Sequence, residues 1–221
     1  MLKPCRPIAR FVLAILVSTL MGLPISGLSA HPHAWIDVTI GVLFDASGAV
    51  TGIRETWLFD DYYTAFVLEE LSVGKDGTPS QADIDALMRE NMKNLKEHDY
   101  FTKIHHADKA VPFAPVTEMS SSLQGSRLSM TFVVPFDSKI DPAASNLTYS
   151  IFDPTYYVEM LHAEVDDPIR LESAPAGCTF RLIDPIPSME ALSLAAALDR
   201  TQRASDSLGA QFAERVEIQC L

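Results

Sequence analysis

His31 and His33, separated only by Pro32, put two imidazoles within three residues. In an extended strand, residues two apart project from one face about 6–7 Å apart, so both rings can reach a single cation. Imidazole is a ligand for zinc, copper and nickel. The backbone-amide copper and nickel motif, with His in third place, needs the N–H of residue two; Pro32 has none. If His31 is the first residue of the processed chain, its α-amine can join its ring in an N-terminal copper brace, which would give the oxidase or oxygenase alternative. Asp37 shares the face but lies about 13 Å from His33 at strand rise, too far for the same ion. Trp35 between them is expected to shield the site or pack.

Other candidates stand farther along. His162 follows Asp153-Pro154-Thr155-Tyr156-Tyr157 and is the first choice for a third ligand. Asp153, Tyr156 and Tyr157 join Trp35 and Asp37 as candidate pocket residues, although buried tyrosines with satisfied hydroxyls serve a core equally well. His105 and His106 are neighbours in an expected strand and point to opposite faces. His98, near a helix C-terminus, suits the helix dipole. No serine, cysteine or phosphate-loop constellation has catalytic spacing, so no catalytic residue is assigned. The acid pairs Asp60-Asp61 and Glu69-Glu70 read as a solvated helix face.

These side chains must first be exported and then positioned. Lys3, Arg6 and Arg10 precede an apolar run over 11–23, and Pro24, Ser26, Gly27 and Ser29 follow it. The run is shorter than the ~20 residues a bilayer span needs. Residues 1–30 therefore read as a cleavable signal peptide and 31–221 as one periplasmic domain, with cleavage after Ser29 or Ala30. Cys5 leaves with the leader. Cys178 and Cys220 remain in an oxidising compartment and are expected to form a disulfide. Removing Lys3, Arg6 and Arg10 from 17 bases leaves 14 against 29 acids, a net charge of −15. Such a surface disfavours nucleic acid and anionic lipid.

Residues 34–42 alternate, with Ala34, Ile36, Val38, Ile40 and Val42 on one face and Trp35, Asp37 and Thr39 on the other, which predicts a half-buried strand. A turn at Asp45-Ala46-Ser47-Gly48 leads to its hairpin partner over 50–58. Helical spacing follows over 60–71 and 80–95, the second helix with Ser80 as N-cap and Asp83 in its first turn. The stretch between them has the outline of an EF-hand loop, with Ser72, Gly74, Asp76 and Asp83 at ligand positions, but it lacks strong ligands and reads as a plain helix-loop-helix. Strands are expected over 102–106, 111–116, 127–134, 147–152, 178–183 and 215–220, with a short helix over 189–198. The sum is an α+β domain: a mostly antiparallel sheet, a helix-loop-helix insertion and a short C-terminal helix.

The order of AHPHAWIDV, GIRETWLFDDYY, the interhelical loop, NLKEHDYF, FDPTYYVEM and the terminal AERVEIQC resembles the domain-of-unknown-function 1007 family across the whole segment after the leader. The match covers His31, His33, Trp35, Asp37, Asp153, Tyr156, Tyr157, Cys178 and Cys220. The resemblance implies a periplasmic component of an uncharacterised ABC-type transport system, often encoded beside nickel, cobalt or zinc transport. The expected function is thus a periplasmic accessory protein that binds Zn²⁺, Ni²⁺, Co²⁺ or copper through His31 and His33 and serves an inner-membrane metal transporter. The remaining alternative is a metal-free protein-interaction module.

Overall fold

The computed structural model describes residues 32–69, 71, 78–198 and 208–221. Strand β1 (Ala34–Phe44) buries Ala34, Ile36, Val38, Ile40 and Val42, as its alternation predicts. The Asp45 carboxylate accepts from the N–H groups of Ser47 and Ala49 and closes the turn into β2 (Val50–Phe59), antiparallel to β1. Asp60 then accepts from the N–H groups of Tyr62 and Tyr63 and starts α1 (Asp61–Glu69). Ser80 caps α2 (Gln81–Lys96) through the Asp83 N–H, and its hydroxyl donates to the Asp83 carboxylate. Asp83 therefore spends its charge on a helix start, and the calcium-loop residues 72–77 lie outside the described residues.

A 3-10 turn (Asp99–Phe101) leads into β3 (Thr102–His106) and β4 (Lys109–Ala110). The remaining strands are β5 (Met119–Gln124), β6 (Arg127–Ile140), β7 (Leu147–Ile151), β8 (Val158–His162), β9 (Ile169–Glu172), β10 (Thr179–Ile183) and β11 (Arg215–Gln219). Helix α3 (Met189–Ala197) and a 3-10 turn (Gly209–Gln211) lie between β10 and β11. One sheet runs β5-β6-β2-β1-β8, with β9 also on β1; the other runs β10-β11-β7-β3-β4. Pairing is antiparallel except where β8 and β9 lie parallel to successive stretches of β1. The domain is α+β, as expected, with two sheets in place of one.

Both sheets and α2 contribute to one core around Trp57, Phe132, Met88 and Tyr149. Trp57 meets Phe132 edge-on at 5.1 Å and stacks against Phe101 at 6.2 Å, which locks the first sheet to the turn before β3. Aromatic pairs at these separations add stability beyond area burial. The strand expected over 111–116 reduces to one bridge, Phe113 with Phe136. Pro112 and Pro115 flank it and have no N–H to donate to a ladder. Cys178 and Cys220 form the expected disulfide, tying the approach to β10 to the end of β11. Among the described residues, no helix is long and apolar enough to cross a membrane.

Candidate functional site

Three of the candidates, His33, Tyr157 and Asp153, meet just before β1 begins. His33 donates its backbone N–H to the Tyr157 carbonyl at 2.8 Å, and its ring stacks on Tyr157 at 4.5 Å with 30° between planes. Tyr157 is fixed in turn by Asp153. That carboxylate, 4% exposed as a residue, accepts from the N–H groups of Thr155, Tyr157 and Val158 and from the Thr155 hydroxyl. The loop is held from behind as well: Gly209 donates to the Pro154 carbonyl, and a Cβ there would sit 1.9 Å from the Asp153 oxygen. Only glycine permits that approach. His31 lies outside the described residues.

Opposite the 153–157 loop stands the 3-10 turn, in which Asp99, Tyr100 and Phe101 take φ values of 54°, 54° and 57°. Three successive left-handed residues without glycine are costly and persist only where their surroundings enforce them. Tyr100 is buried, its hydroxyl accepting from the Val116 N–H at 3.2 Å, and Phe101 packs on Trp57. The turn and the loop enclose a cleft of about 500 Å³ lined by His98, Asp99, Lys103, Thr155 and Tyr157 among others. Next to it, under α2, is an apolar pocket of about 210 Å³. Tyr63 lines that pocket; burial raises its phenol pKa, and Tyr157 and Asp60 push it the same way.

The remaining candidates have other partners. Trp35 is 45% exposed and exchanges backbone contacts with Asp60, donating its N–H to the carboxylate at 2.8 Å. Asp37 pairs with Arg127 at 2.7 Å, and that guanidinium also donates to the Phe59 and Leu58 carbonyls. Tyr156 turns away from the cleft. Its φ is 56°, its ring stacks on Phe212 at 4.1 Å, and it joins Ala191, Ala195 and Leu208 in a small satellite core. Burial, with Glu159 beside its hydroxyl, pushes its phenol up to about 12.

His162 does not come to His33. The parallel register sets it beside Val38, five residues along β1, which is roughly 16 Å at strand rise. Its side chain is 5% exposed and points between the sheets, Nδ1 against Glu214 at 2.7 Å and Nε2 against the Tyr149 hydroxyl at 3.1 Å. The tentative assignment of His162 as third ligand to the dyad's ion therefore does not fit its position. Burial would lift the Glu214 carboxyl, but the bonds from the His162 ring and N–H hold it below its ordinary value. Among the described residues, no three His, Cys, Asp or Glu side chains are grouped closely enough to hold a metal.

Sequence reading missed a second interior group. Glu55 is fully buried on β2, where it accepts from the Trp57 indole at 2.9 Å and the Thr102 hydroxyl at 2.7 Å. Burial pushes its carboxyl up to about 7, the two hydrogen bonds opposing only part of the rise. The signal was present: Glu55 shares the strand parity of Ile53, Trp57 and Phe59, the inward face of the hairpin.

Comparison with known proteins agrees with the residue-level resemblance. An uncharacterised protein of Haemophilus influenzae (strain ATCC 51907 / DSM 11121 / KW20 / Rd) is 28% identical over 207 residues, which is 92% of this chain and 98% of the relative. The family model described as "Protein of unknown function (DUF1007)" matches residues 16–220. With nearly its full length covered, this chain belongs to the DUF1007 family.

Proposed function

We propose that this protein is a periplasmic accessory protein that binds a transition-metal ion, Zn²⁺, Ni²⁺, Co²⁺ or copper, and presents it to an inner-membrane transporter. His31 and His33 are the protein ligands. The supporting observation is the support given to His33: its backbone bonds to Tyr157, its ring lies on Tyr157, and Asp153 anchors that loop through three backbone N–H groups. An imidazole whose orientation is already fixed by a packed neighbour loses little entropy on ligation. His31 supplies a second imidazole two residues upstream. The remaining positions fall to water, to the α-amine of a chain that begins at His31, or to the transporter; an open coordination sphere suits transfer better than a closed structural site.

Calorimetric titration of the processed chain with Zn²⁺ and Ni²⁺, beside the His31→Ala/His33→Ala variant, tests the reading. Binding that disappears in the variant supports it; equal affinity rejects the dyad.

A further inference from the structure

One hydroxyl stands between two acceptors at the base of the left-handed turn. Thr102 Oγ1 lies 2.7 Å from Glu55 Oε1 and 3.0 Å from the Tyr100 carbonyl, and it has a single proton to give. The carbonyl only accepts, and so does an ionised carboxylate. With Glu55 ionised, the hydroxyl proton goes to the charge, because charge-assisted bonds are roughly twice as strong as neutral ones, and the Tyr100 carbonyl loses this donor. With Glu55 protonated, the carboxyl donates to Thr102 Oγ1 and the hydroxyl turns to Tyr100.

Trp57 joins the same carboxyl to the turn by a second route. Its indole donates to Glu55 Oε2 at 2.9 Å, and its ring stacks on Phe101 at 6.2 Å. The turn needs such props, since left-handed residues at 99–101 without glycine are costly. The surroundings leave Glu55 to titrate alone. Its cross-strand neighbours are Ile40 on β1 and Phe132 on β6; β3 supplies Thr102, and β7 supplies the buried Tyr149 phenol, which also faces Glu214. No charged side chain adds to the burial that raises its carboxyl.

We propose that Glu55, Thr102 and the Tyr100 carbonyl form a proton-gated latch: while Glu55 holds its proton the left-handed turn is fixed against the core, and loss of that proton releases it. Burial raises the carboxyl to about 7, so release begins near neutral pH and completes on the alkaline side. The turn carries Asp99 and leads into Lys103, both on the wall of the cleft that Tyr157 also lines, so the latch sets the shape of that cleft. It uses neither His31 nor His33 and stands independently of the metal reading.

NMR of the purified chain from pH 5 to 8.5 reads both ends of the latch, through the Tyr100 carbonyl ¹³C and the Trp57 indole ¹⁵N shifts. The two should titrate together. Protection of the Phe101 and Thr102 amides, corrected for intrinsic exchange, should fall roughly tenfold across the same step, the worth of one hydrogen bond. Glu55→Gln, whose amide donates to Thr102 at every pH, should hold both signals flat in the latched position. Thr102→Val should leave the indole titrating while the Tyr100 carbonyl stays at its released value, and Thr102→Ser should restore the joint step. Three results would overturn the latch: an indole that titrates while the wild-type carbonyl does not, no step at either end, or a step that persists in Glu55→Gln. The last would assign the step to another group such as His98, whose ring lies 6.1 Å from Phe101. If Thr102→Val does not fold, Glu55→Gln decides alone, and a wild-type step at its Tyr100 carbonyl refutes the proposal.

Discussion

A glutamate enclosed between two sheets makes this domain sensitive to pH without any ligand. Glu55 is hydrogen-bonded to the Trp57 indole and the Thr102 hydroxyl, and burial raises its carboxyl to about 7 from a free value of 4.5. A raised carboxyl pKa means that the folded state keeps a proton the unfolded state has lost. Stability contributed by this group is therefore fully present below about pH 4.5 and declines as pH rises towards 7, by up to about 3 kcal/mol. Glu55→Gln keeps an acceptor and a donor in place but cannot ionise. Its urea-unfolding free energy should lack that decline, measured at intervals from pH 5 to 7.5; a wild-type slope in the variant would assign the effect to another group. Glu214 has the opposite sign. Its depressed value gives stability that is present above the ordinary carboxylate range and lost as acid protonates it and breaks its bonds to His162.

Elements explain both what sequence patterning revealed and what it hid. The alternation in 34–42, the Asp45 turn and the Ser80 cap are local signals, and each element formed where those signals placed it. The disulfide was legible from the two cysteines left after the expected leader and from the oxidising compartment that leader implies. Strands β5, β8 and β9 were not. Ser120-Ser121-Ser122 has little strand propensity and is an edge strand paired only to β6, while β8 and β9 exist because β1 offers its free side to both. The site was half legible for the same reason. Proximity of His31 to His33 is written in sequence, whereas the Tyr157 stack and the distance to His162 depend on that parallel pairing. Two predictions belong to this scale. Asp153→Ala removes the acceptor of three backbone N–H groups. It should lower the unfolding free energy by about 3 kcal/mol in urea titration and weaken Zn²⁺ binding by loosening the support of His33. Cys178→Ala with Cys220→Ala opens a loop of sequence separation 42. The chain-entropy account predicts a loss of about 4 kcal/mol, read from the denaturant midpoint of the oxidised wild type against the double variant.

At the scale of the whole molecule, an acidic domain carries the proposed pair of imidazoles, His31 and His33, just ahead of its first strand in sequence. Ligation needs neutral rings, so metal affinity should fall as acid protonates them, and competitive titration with a chromophoric chelator at pH 7.5 and 5.5 measures this. If the proposed leader is removed, the intact mass of the protein isolated from cells shows whether it begins at His31 or Ala30, and so whether an α-amine can join the His31 ring. The most direct measurement is zinc-edge X-ray absorption of the processed, metal-loaded protein. Two imidazoles on one ion give a multiple-scattering pattern with Zn–N near 2.0–2.1 Å, absent from the His31→Ala/His33→Ala variant; a shell of oxygen ligands alone, the same in both proteins, rules the dyad out.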